Sequence, residues 1–78
     1  MPHISVKMNE GRTEEQKRAL ADALEKALSE TLGCDARWVT LSIEDYNGKQ
    51  WQDVFKKEVT ENEEHLYKKP QYDPKILL

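Results

Sequence analysis

Apolar and polar residues alternate from the start of the chain. Ile4, Val6 and Met8 interleave with His3, Ser5 and Lys7, the period-two pattern of a strand with one covered face. The segment Pro2–Met8 is therefore expected to form a strand headed by Pro2, where a missing N–H costs little. Asn9–Arg12 follows as a loop. Thr13-Glu14-Glu15-Gln16 fits a capping box, and Leu20, Ala23, Leu24, Ala27, Leu28 and Leu32 recur at spacings of three and four up to Gly33. Together these predict a helix over 14–32, with acids at the positive end of its dipole and a glycine at its end.

Alternation resumes over Trp38–Glu44, where Val39, Leu41 and Ile43 share one face of a second strand. Strand, long helix and strand in succession make a βαβ unit with parallel strands. Tyr46–Lys49 contains Asn-Gly and is expected to turn. Trp51, Val54, Phe55, Val59, Asn62 and Leu66 then fall at helical spacing, predicting a second helix over 51–67. Pro70 and Pro74 should stop it and leave an irregular, extended tail. No repeat, low-complexity stretch or linker interrupts residues 1–78, so a single domain is expected.

Composition narrows the partners. Seventy-eight residues are 37% apolar and 35% charged, lean for a chain that must bury its own core. Two parallel strands covered on one side are marginal alone, so a second copy is expected to extend the sheet, most simply about a two-fold axis. Net charge is −3, with basic and acidic residues interleaved, which argues against nucleic acid or an anionic membrane. No apolar run approaches twenty residues and no signal peptide is visible, so a cytoplasmic protein is expected. The lone Cys34 rules out an internal disulfide and a cysteine metal set, and it lies beside Asp35 rather than in a positive setting. His3 and His65 lack a metal-pair spacing; neither a metal nor a cofactor is expected.

Catalytic candidates are few. A small second residue permits removal of Met1, which would leave Pro2 as a secondary amine held at the head of a strand. Arg12 sits just before a helix N-terminus, an unfavourable place for a cation, and that mild conflict suggests an anion-binding role. Trp51 suits a core, an interface or a site wall. Glu61, Glu63 and Glu64 make a solvated face, and Tyr67 and Tyr72 are expected at a subunit interface.

The Met-Pro-His-Ile start, the run Glu10-Gly11-Arg12-Thr13-Glu14-Glu15-Gln16-Lys17 and a βαβ of this length resemble the 4-oxalocrotonate tautomerase superfamily. The tail Tyr67-Lys68-Lys69-Pro70-Gln71-Tyr72, with Trp51 and the second helix, is similar to the dimeric PptA-type bacterial tautomerases. The resemblance implies an α/β class, β-α-β tautomerase fold: two parallel strands per monomer plus a second helix, the sheet extended to four strands in a homodimer. It also implies a cofactor-independent keto–enol tautomerase, an isomerase of small 2-keto or enol acids such as phenylpyruvate-like monoacids. Pro2 would be the general acid/base, with Arg12 on the substrate carboxylate and Trp51 beside the proline. Thr40 falls where hexameric relatives carry a second arginine. That favours a monoacid and leaves Arg37 or Lys49 as possible replacements. Relatives of this fold also hydrate haloacrylates or decarboxylate a semialdehyde, and a chain retaining Met1 would be a non-catalytic binding module. An α-amine ordinarily titrates near 8; apolar surroundings from Ile4, Trp51 and Phe55, or a nearby Arg12, would disfavour its charged form.

Overall fold

A computed structural model describes the whole chain, Met1–Leu78. Strand β1 (His3–Asn9), helix α1 (Glu14–Leu32), strand β2 (Thr40–Tyr46) and helix α2 (Gly48–Phe55) follow in order, with short helical turns between and after them. β1 and β2 form a two-stranded sheet. The Thr40 N–H donates to the Pro2 carbonyl at 3.2 Å, and the Glu10 N–H donates to the Tyr46 carbonyl at 2.8 Å. Both strands therefore advance in the same direction, and the fold is the expected β-α-β with parallel strands and two helices. Backbone groups of a strand alternate sides. Pro2 and Glu10 point at β2, so the even residues between them do too, and the backbones of the odd residues turn to the opposite edge.

The chain forms two compact units, Met1–Lys7 with Gly11–Glu44 and Met8–Glu10 with Asp45–Leu78. In the first, α1 has the bounds its periodicity predicts. Thr13 Oγ1 accepts the Gln16 N–H at 3.1 Å and Gln16 Oε1 accepts the Thr13 N–H at 2.9 Å, the reciprocal capping box. Gly33 closes the helix at φ 67°, a left-handed conformation that glycine adopts without Cβ strain. Ala21 of α1 and Leu41 and Ile43 of β2 line one cavity, so the apolar face of β2 looks at α1. β2 begins at Thr40 rather than Trp38, because Asp35 starts a 3₁₀ turn over Ala36–Trp38 and its carboxylate accepts the Arg37 N–H at 2.9 Å.

The second unit departs further from its periodicity. Asn47-Gly48 opens a helix instead of a turn: Asn47 Oδ1 accepts the Gln50 N–H at 2.8 Å and Gln50 Oε1 accepts the Asn47 N–H at 2.9 Å. α2 stops at Phe55 and widens into a π-turn over Lys56–Thr60, closed by the Glu61 N–H on the Lys56 carbonyl at 2.8 Å. Val59 and Thr60 are β-branched and weak helix formers, and the helical run expected to Tyr67 ends at Thr60, seven residues early. A 3₁₀ turn at Glu63–His65 follows. The tail ends in another 3₁₀ turn, Pro74–Leu77, capped by Asp73, and not as extended chain. Gln52 Nε2 holds that turn, donating to the Gly48 carbonyl at 3.0 Å and to the Pro74 carbonyl at 2.8 Å.

Phe55 alone is buried, at 9% exposure. The chain presents 6300 Å² to solvent. A folded monomer of its mass, 9.1 kDa, presents about 4,900 Å² by the usual scaling. The isolated chain thus carries an excess of about 1,400 Å². No helix is long and apolar enough to cross a membrane.

Candidate active site

Pro2 begins the sheet. Its carbonyl is fixed by Thr40 at 3.2 Å, while the residue before it, Met1, is 95% exposed. The proline nitrogen thus lies just outside the last ladder bond, at the boundary between ordered strand and solvent. Next to it, His3 Nδ1 and Thr40 Oγ1 are 2.6 Å apart. His3 is committed to the neighbouring strand, a structural role that matches its expected place on the face away from the apolar residues. Thr40 is therefore engaged twice, by its N–H at Pro2 and by its hydroxyl at His3.

Arg12 stands at the opposite end of the same unit. It follows Gly11, whose φ of 121° turns the chain from β1 toward α1. Seven residues of β1 separate that turn from Pro2, a span of about 20 Å at the usual rise per residue. No arginine side chain bridges such a distance, so the two candidates do not meet within one protomer. Trp51 belongs to the second unit, where its indole N–H donates to the Tyr72 hydroxyl at 3.0 Å. Tyr72 also meets Phe55 edge-on, with ring centroids 5.5 Å apart. Tyr72, expected at a subunit interface, has partners inside its own unit, and Tyr67 is fully exposed.

Of the two cations considered for the place of a second arginine, Arg37 lies three residues before Thr40, at the Pro2 end of the sheet. Lys49 lies in the first turn of α2, in the second unit. No group of three or more His, Cys, Asp or Glu gathers to hold a metal ion. The Asn47 cap was missed by reading Asn-Gly only as a breaker, although Asn47-x-x-Gln50 is itself a helix-start signature. The Gln52 clasp leaves no local trace, since both its partners are backbone carbonyls.

Known proteins of similar sequence share this fold. The family model for the tautomerase enzymes matches residues 2–52. A probable tautomerase of Xylella fastidiosa is 38% identical over 73 residues, covering 92% of this chain and 89% of that protein. A 2-hydroxymuconate tautomerase of Bacillus subtilis is 44% identical over 45 residues, 58% of this chain and 73% of that one. Among solved structures, YwhB, a homologue of 4-oxalocrotonate tautomerase, has a TM-score of 0.56 at 42% identity, covering 58% of this chain and 74% of that chain. Another member of that family has a TM-score of 0.59 at 36% identity, covering 60% and 73%. The family match ends just past Trp51, and residues 53–78, with the π-turn and the clasped tail, lie outside it.

Proposed function

The chain belongs to the tautomerase family, and we propose that it is a cofactor-independent isomerase whose base is the amine of Pro2. With Met1 in place the Pro2 nitrogen is a tertiary amide with no basic lone pair, so the proposal concerns the chain after Met1 is removed. The observation that carries it is the Thr40–Pro2 bond at 3.2 Å. It anchors the carbonyl of the residue that leads into β1 and leaves the nitrogen end projecting from an ordered support, which is what positioned proton transfer needs.

The substrate class that fits is a small 2-keto or enol monoacid, phenylpyruvate-like in size. The neutral amine takes the proton of the enol hydroxyl as charge spreads onto the oxygen and the adjacent carbon. The ammonium so formed returns a proton to that carbon, giving the keto acid and restoring the amine. Charge developing on the oxygen needs a fixed cation, and Arg12 offers a planar fork for carboxylate or enolate.

A second copy of the chain supplies that cation. The excess surface of about 1,400 Å² per chain corresponds to an interface of about 2,800 Å² in total, the range of obligate dimers. The outer edge of β1, away from β2, offers the backbones of His3 and Ser5. Two β1 strands related by a two-fold axis pair antiparallel, and the Arg12 end of one then lies beside the Pro2 of the other. Extending the sheet in this way forms a four-stranded homodimer and completes both sites at once. The test is ketonisation of phenylenolpyruvate followed by its ultraviolet absorbance. Wild-type protein should catalyse it and Pro2→Ala should be strongly impaired; equal rates for the two would remove Pro2 from the mechanism.

A further inference from the structure

Resting on that reading of Pro2, we propose that His3 is a positioning residue for the proline: with Thr40 it forms a two-point clamp on the peptide unit from which the Pro2 ring projects. The need for such a clamp follows from the base itself. Proline has no peptide N–H to give to the ladder, and a nitrogen that moves a proton must stay free of other partners. The head of β1 is therefore held only through the Pro2 carbonyl and through the residue that follows. A terminus that is not tied down is poorly ordered, and a single hydrogen bond leaves the peptide plane free to pivot about it.

Thr40 supplies both ties. Its N–H donates to the Pro2 carbonyl at 3.2 Å, and its Oγ1 lies 2.6 Å from His3 Nδ1. The backbone bond sets Thr40 beside His3 across the parallel pair, and the side-chain bond puts both side chains on one face. The Pro2 carbonyl and the His3 Cα belong to one planar peptide unit, so the two bonds hold that plane at both ends. The half-buried Pro2 ring is then carried on a fixed plane rather than on a pivot. Neither bond involves Met1, so removal of that residue leaves both in place.

The imidazole suits the task. A neutral ring accepts the Thr40 hydroxyl proton at Nδ1, and a protonated ring donates from Nδ1 to the hydroxyl oxygen. The contact therefore holds on either side of the imidazole titration. Both side chains are exposed, and a hydrogen bond of this kind shifts the folding equilibrium by only about five-fold. Its larger consequence is geometric, since a misplacement of about 1 Å at the reacting atoms costs about 10²-fold in rate. His3 thus acts through Pro2 and not on the substrate.

The experiment pairs variants that break the clamp with variants that keep it. His3→Phe removes Nδ1 and keeps a flat ring; Thr40→Val removes the hydroxyl and keeps the N–H that reaches Pro2. His3→Asn keeps a polar atom in the place of Nδ1, and Thr40→Ser keeps the hydroxyl. Ketonisation of phenylenolpyruvate by protein lacking Met1 is resolved into kcat and KM, with hydrogen exchange of the Thr40 amide measured alongside. His3→Phe and Thr40→Val should each lower kcat about ten-fold with KM unchanged and speed Thr40 exchange about five-fold. The double variant should be no slower than either single one, and His3→Asn and Thr40→Ser should keep most of the wild-type kcat. Wild-type kcat in both His3→Phe and Thr40→Val, with Pro2→Ala still impaired, would overturn the clamp and leave Pro2 as the base. Full activity in Pro2→Ala would overturn the reading of Pro2 itself. Losses that multiply in the double variant, or a loss in His3→Phe that His3→Asn shares, would overturn action through the bond to Thr40.

Discussion

Ser5→Pro isolates the step on which the composite site depends. Ser5 lies mid-way along β1, and its backbone faces the unpaired edge, because Pro2 and Glu10 face β2 and backbone direction alternates. Proline there leaves the β1–β2 ladder intact and removes a donor only from the free edge, where an edge strand tolerates it. The side-chain loss is small: Lys7 Nζ gives up an exposed 3.1 Å bond to Ser5 Oγ. In a two-fold interface every lost contact is lost twice. Two net hydrogen bonds of about 1 kcal/mol each come to about 2 kcal/mol before any ring clash. That weakens dimerisation by a factor of about 30 or more. Sedimentation velocity across a dilution series reads the change directly, with circular dichroism confirming the helices. Ketonising activity should fall with the dimer, since the partner's Arg12 leaves Pro2. A variant that dimerises as tightly as wild type would refute pairing through β1 and, with it, delivery of Arg12 across the interface.

Arg12→Ala should raise KM for an enol acid more than it lowers kcat, because carboxylate binding is largely common to ground and transition states. Co-refolding Arg12→Ala with Pro2→Ala should restore activity toward about a quarter of wild type, since half the dimers are then hybrids with one undamaged site; no recovery would place both residues in one chain's site. Gly48→Ala should destabilise the protein by about 1–3 kcal/mol in urea unfolding, because a Cβ there overlaps the Leu77 carbonyl oxygen and displaces the turn clasped by Gln52; an unchanged midpoint would show that the tail does not dock on α2. Thr13→Ala should cost about 1 kcal/mol through loss of the Gln16 cap, a drop of about 4–8 °C in Tm, and unchanged Tm would mean α1 is not limiting.

What the sequence made legible follows the strength of local signals. β1, α1 and β2 rest on periodicity reinforced by caps that lie within a few residues, Thr13 with Gln16 and Gly33 at the helix end, so their order and pairing could be read directly. α2 could not be bounded, because the apolar spacing from Trp51 to Leu66 continues through Val59 and Thr60 although the backbone there opens into a π-turn. Its true start at Gly48 was hidden by treating Asn47-Gly48 as a breaker. The tail is ordered by tertiary bonds, Gln52 to Pro74 and Trp51 to Tyr72, which no run of neighbours encodes. For the site, residue types were legible and distances were not. The resemblance implied Pro2 and Arg12 together, whereas a seven-residue strand separates them in one protomer.

The amine of Pro2 is the central claim, and the most direct measurement compares kcat/KM of two forms of one chain whose masses are verified: one lacking Met1, the other retaining it. Positioned acid–base groups contribute about 10²–10⁴-fold, so the Met1-retained form, whose proline nitrogen is an amide, should lose at least about 10²-fold in ketonisation of phenylenolpyruvate. Pro2→Ala, which keeps a primary amine after processing, should fall between the two. Full activity from protein that retains Met1 would contradict the account.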